Sequence, residues 1–131
     1  MADPALVADL LLARCATLSA ILPVAMPDVS FTPPTDGKYL RVGFFTNAPR
    51  WQGLASGSVD QGLLQIDVVW PKGQGVVAHR RIVGQVAAAL PKGLRLYAPG
   101  VRVTINREPW AASPIPEASQ TLTPITVSWV A

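Results

Sequence analysis

Apolar positions along the chain change period several times, and each change marks an element. From Ala5 to Leu22 they recur at helical spacing. At ~100° per residue Leu6, Leu10, Ala13, Thr17 and Ile21 share one flank, and Val7, Leu11, Leu18 and Leu22 the adjoining one. Asp3 is a natural cap, Pro4 suits the first turn and Pro23 ends the run. The polar arc left over, with Asp9, Ala16, Ser19 and Ala20, is narrow. Such a helix calls for cover on two sides, from its own domain or from another subunit. Pro23 to Lys38 has no period and four prolines, and reads as an extended connection.

Strand alternation follows. Leu40, Val42 and Phe44 face one way in Tyr39–Phe45; Leu64, Ile66, Val68 and Trp70 do so in Leu63–Trp70, with Gln65 and Asp67 opposite. Thr46–Gln61 between them breaks the pattern with Asn-Ala-Pro and isolated glycines, and predicts a long loop. Pro71–Gly75 turns the chain into a second helix, Val76 to Leu90, ended by Pro91-Lys92-Gly93. Leu94–Ala98 and Val101–Ile105 read as short strands joined at Pro99-Gly100. Asn106–Gln120 is a second long excursion, and Leu122–Val130 alternates again. This order predicts a single α+β domain over 1–131, with a mostly antiparallel sheet packed with two main helices.

Composition narrows the function. With 131 residues, 50% of them hydrophobic, the chain can build a core without disulfides or metals. Thirteen prolines argue against a helical bundle. The net charge of +3 reflects scarce acids, with Glu108 and Glu117 the only glutamates, rather than a basic run. One cysteine, Cys15, allows no internal disulfide and suggests a reducing compartment. Arg14 and Asp28 bracket only thirteen uncharged residues, too few to span a bilayer. The start of the chain has Asp3 and Asp9 where a secretory signal needs basic residues, so a soluble intracellular protein is expected.

Catalytic parts are few. His79, the one histidine, falls among Ile82, Val83 and Val86 on the apolar side of the second helix, where a structural role is expected. Cys15 sits in the most hydrophobic helix, where a thiol is inert. No cluster has metal-ligand spacing, and the acids are not paired for hydrolysis. Gly73-Gln74-Gly75-Val76-Val77-Ala78 matches G-x-G-x-x-A between a strand and a helix, but no Asp or Glu lies between Asp67 and Glu108 to hold a ribose. A glycine turn that starts a helix is the better account, and no catalytic residue, cofactor or metal is expected.

Recognition residues remain. His79-Arg80-Arg81 is the one basic cluster, too small for a nucleic-acid footprint; Arg80 and Arg81 read as a solvated helix face or a contact with a neighbouring subunit. Trp70 and Trp129 lie on apolar strand faces and should be core. Trp51 and Trp110 lie in the two irregular stretches, beside Arg50 and Pro109. Arg50, Trp51 and Trp110 are therefore the candidate contact residues, since Trp and Arg dominate protein interfaces.

The succession Tyr39-Leu40-Arg41-Val42, Gly62-Leu63-Leu64-Gln65-Ile66-Asp67-Val68, a Pro/Gly turn and helix ending in Leu90-Pro91-Lys92-Gly93, then Gly100-Val101-Arg102-Val103 and Pro124-Ile125-Thr126-Val127-Ser128-Trp129 resembles the phage tail-terminator-like (tail completion) proteins. Each piece is short; their order and spacing carry the resemblance, which covers nearly the whole chain. It implies a non-enzymatic phage or prophage structural protein that caps the tail tube as a homo-oligomeric ring, typically a hexamer. Such a ring stops tube polymerisation and offers a surface to the head. The implied partners are further copies of the chain, the major tail tube protein and head–tail connector proteins, with no membrane and no sequence-specific nucleic acid. The implied location is the tail end of the virion, assembled in the host cytoplasm. No site residues carry over from the family. Two readings compete with it: another head–tail connector component, and a cytosolic α+β binding module unrelated to phage.

Overall fold

The structure, a computed structural model, describes residues 3–53 and 57–131, and the side chains of 3–46 and 60–131. Helix α1, Pro4–Ala16, begins as expected: the Asp3 carboxylate accepts the Ala5 amide at 2.9 Å. A single 3-10 turn, Thr17–Ala20, ends the helical stretch before Pro23. The strands are β1 (Val24–Ala25), β2 (Tyr39–Gly53), β3 (Gly57–Pro71), β4 (Arg95–Ala98), β5 (Val101–Ile105), β6 (Trp110–Ala111), β7 (Ile115–Pro116) and β8 (Gln120–Val130), with α2 (Val77–Ala88) between β3 and β4.

They form one sheet in the order β1-β2-β3-β8-β5-β4, with β6 and β7 also paired to β8. All pairings are antiparallel except β1 with β2, which confirms the α+β, mostly antiparallel expectation. Directly opposed residues share a face. Leu40, Val42 and Phe44 on β2 align with Val68, Ile66 and Leu64 on β3, and these with Thr123, Ile125 and Val127 on β8. This inner face is roofed by Val7, Leu11, Cys15 and Leu18 of the α1 segment and by Val83 and Val86 of α2. The Arg14 guanidinium donates from Nε and Nη2 to the Ala89 carbonyl at 3.2 and 2.9 Å, which joins the C-terminal ends of the two helical segments and satisfies a carbonyl that α2 leaves open.

Two expectations need correction. The described parts of Thr46–Gln61 are strand rather than loop: β2 runs on to Gly53 and β3 begins at Gly57, with Thr46 opposite Gly62, Asn47 opposite Gln61, Arg50 opposite Val59 and Trp51 opposite Ser58. An extra β2 residue is absorbed between Asn47 and Arg50 and another between Trp51 and Gly53, so the ladder survives an Asn-Ala-Pro that interrupts the alternation. Asn106–Gln120 is likewise not free, because β6 and β7 zip onto β8. The cover that α1 calls for comes from its own domain, and α1 leaves no large apolar side chain exposed. Leu6, Leu10 and Leu12 are half-buried against the core, where β4 and β5 supply the second covering side.

Candidate functional site

His79 and Cys15, the two residue types with the most reactive side chains, are both buried. His79 is buried in the first turn of α2, and its Nε2 lies 3.1 Å from the Val68 carbonyl oxygen and 3.1 Å from Thr123 Oγ1. A carbonyl only accepts, so Nε2 carries the proton, which the Val68 carbonyl and the Thr123 hydroxyl oxygen both accept, and the ring ties α2 to β3 and β8. The imidazole stacks on Trp70 at 5.4 Å and 3°, with the Lys38 ammonium 4.6 Å above the indole. Burial lowers the His79 pKa; the Val68 bond opposes this and the Arg80 charge adds to it. Cys15 is fully buried, and desolvation pushes its thiol up to about 12, far from a reactive thiolate. Gly73 and Gly75 take φ of 81° and 75°, left-handed conformations that the turn into α2 requires. Among the described residues no group of three or more His, Cys, Asp or Glu could hold a metal ion, and no helix is long and apolar enough to cross a membrane.

Exposed apolar side chains lie instead on the outer face of the sheet. Register sets it out in rows: Phe45, Leu63 and Ser128; then Gly43, Gln65, Thr126 and Trp110; then Arg41, Asp67 and Pro124. Trp110 is 68% exposed, Phe45 52% and Leu63 36%, so apolar side chains from two adjacent rows stand in water where a sheet face is ordinarily polar. The Phe45 ring leans over Gly43, where an added Cβ would come within 3.1 Å of its Cε2, and so tilts toward the Trp110 row. The Asp67 carboxylate accepts from Arg41 Nε and Nη2 at 3.2 and 3.1 Å and from Gln65 Nε2 at 2.9 Å. Arg41 is 46% exposed, so this pair contributes less than about 1 kcal/mol to folding; it holds a charged border beside the aromatic strip.

Of the residues singled out from sequence, Trp110 belongs to this strip. Arg50 and Trp51 lie in β2, but their side chains fall outside the described residues. Arg80 and Arg81 are exposed on α2, in the layer against the inner face, and do not join Trp110. Trp70 and Trp129 are core, as their strand faces predict. Phe45 and Leu63 were missed as a pair. The alternation puts each on an outward position, yet only the register of β2 with β3 shows that they are neighbours.

The protein is an α+β fold whose histidine and cysteine are buried and whose outer sheet face carries exposed aromatic side chains. The model of the family described as phage tail terminator protein matches residues 6–129, and the chain belongs to that family. Its role is structural and tail-related, as a component of the virion. Among solved structures, one chain superposes with a TM-score of 0.82 at 22% identity, covering 99% of this chain and 96% of its own, a likeness of fold. No curated protein matches the sequence at a significant level.

Proposed function

We propose that the protein is a non-enzymatic tail terminator: a homo-oligomeric ring, hexameric by analogy with the family, that caps the tail tube. Seated there it stops addition of the major tail tube protein and offers its free side to head–tail connector proteins. The observation that carries this reading is the family match over residues 6–129, nearly the whole chain. The exposed strip of Phe45, Leu63 and Trp110 supports a protein-binding surface, because aromatic side chains left in water favour burial against a partner. In this reading the tube docks on the outer face, with Trp110 as one anchor and Arg50 and Trp51 on the β2 arm of the hairpin as the others. Arg80 and Arg81, on the opposite layer, serve contacts between copies. Assembly takes place in the host cytoplasm, and the ring travels in the virion at the tail end.

The test is a phage deleted for this gene, examined by electron microscopy with and without the protein supplied in trans. Overlong, headless tails that return to normal length on complementation are the expected result. Tails of correct length that merely lack heads would assign the protein to the head–tail connector instead.

A further inference from the structure

The two helices expose ridges of opposite charge that have no partner among the described residues. On α1 the exposed residues recur as Ala5, Asp9, Ala13 and Ala16, and Asp9 is the charge in their midst. On α2 they recur as Val77, Arg81, Gly84 and Ala88, with Arg80 beside Arg81. The side chains of Asp9, Arg80 and Arg81 make no hydrogen bond or ion pair among the described residues. The α2 ridge is also apolar at its start, where Val76 and Val77 are 57% and 70% exposed. Val76 occupies the cap position with no side-chain bond to the first amides, and the first turn holds no acid. That end of α2 is therefore cationic twice over, from the arginines and from the helix dipole, and an incoming carboxylate stabilises it.

We propose that the α2 ridge of one copy packs against the α1 ridge of the next, with Arg81 paired to Asp9. The partner is a second copy of this chain, and charge complementarity is the first reason. Position is the second. The contact through Arg14 joins the C-terminal ends of the helices, while α1 packs on β4 and β5 and α2 on β3, β6 and β8. The acidic and basic ridges thus sit on different parts of the helical layer. An interface that joins unlike surfaces is heterologous, and heterologous contacts are what close a ring. Spacing is the third reason. With the helices running in the same direction and Asp9 opposite Arg81, Ala13 and Ala16 fall opposite Gly84 and Ala88 at one and two turns onward. No Cβ crowds Gly84, whose surroundings are open within 4 Å. The pairing rests on the ring reading given above and assigns that ring its subunit contact.

The experiment uses the full chain with Asp9→Arg, with Arg81→Glu, and with both. Native mass spectrometry and sedimentation, with and without purified tail tubes, report assembly; thermal melts report the monomer. Each single reversal is expected to raise the concentration needed for assembly by about tenfold or more. Both together should restore it to within about threefold, with melting temperatures little changed because both sites are exposed. Wild-type assembly should weaken as salt rises from about 0.05 to about 0.5 M. Rings that ignore both single reversals, or a double variant no better than the worse single one, overturn the pairing and leave the ring reading intact. A wild type that forms no ring with or without tubes overturns both.

Discussion

Replacing Gly62 by alanine separates two physical arguments of opposite sign. Gly62 lacks a positive φ, and in an ordinary strand alanine is favoured over glycine by up to about 1 kcal/mol, because glycine loses more backbone freedom on folding. Packing argues the other way. A Cβ here would press on the Phe45 carbonyl oxygen and lie 2.5 and 2.8 Å from Cζ2 and Cε2 of Trp129, opposite it on β8. Trp129 is 2% exposed and stacks on Phe44 at 5.6 Å and 9°, so it has no free volume to move into. Overpacking of this kind costs about 1–3 kcal/mol, and the upper half applies because one obstacle is backbone. The net expectation is a loss of about 1–2 kcal/mol, or a fall in Tm of about 3–10 °C for a chain of this size. Urea unfolding followed by tryptophan fluorescence measures it, with an unchanged m-value as the control. Trp129→Phe removes the obstructing ring, so Gly62→Ala should cost less in that background. A Gly62→Ala protein at least as stable as wild type would refute the packing argument.

Trp110→Ala, at an exposed position, should lower Tm only a few degrees while weakening tube capping by roughly thirtyfold, the loss of about 2 kcal/mol typical of an anchor; tail-length distributions in complemented phage check it. His79 has a pKa below its unfolded value, so the unfolded state binds more protons. Stability should therefore be full above the ordinary histidine value of 6.5 and fall as pH drops from there through the lowered folded pKa. Urea midpoints between about pH 7.5 and pH 5 should show a slope that His79→Gln removes. Cys15, with its thiol near 12, should resist disulfide reagents at mildly alkaline pH in the native protein and react once urea unfolds it.

What could be read from sequence was whatever local chemistry decides. Asp3-Pro4 marks a helix start, paired glycines before Val76 mark a turn into a helix, and alternation at Leu64, Ile66 and Val68 marks an inner face. The structural role of His79 followed from its place among Ile82, Val83 and Val86. What escaped depends on pairing between distant segments. Asn-Ala-Pro looks like a loop because its bulge disturbs the alternation, although the β2–β3 ladder resumes at Arg50 and Val59. The pairs of Trp110 with Thr126 and Ile115 with Leu122 are too short to leave a period in the sequence. Nor could composition show that β4 and β5 cover the leucines of α1. The candidate site was legible in part for the same reason: Trp110 is conspicuous alone, whereas Phe45 and Leu63 form a surface only once register brings them together.

The position of β8 bears on how the protein is made. It follows every other strand in sequence, yet lies in the sheet between β3 and β5 and also receives β6 and β7. A nascent chain that has emerged only as far as Ile115 can form the β2–β3 and β4–β5 hairpins but has nothing to join them. The sheet closes by inserting its latest strand into its middle, a step that needs contacts between residues far apart in sequence and is correspondingly slow. Until then the edges of β3 and β5 stand open and Ile66, Val68 and Ile105 lack their β8 neighbours, so translation that stalls before β8 leaves a species prone to aggregate.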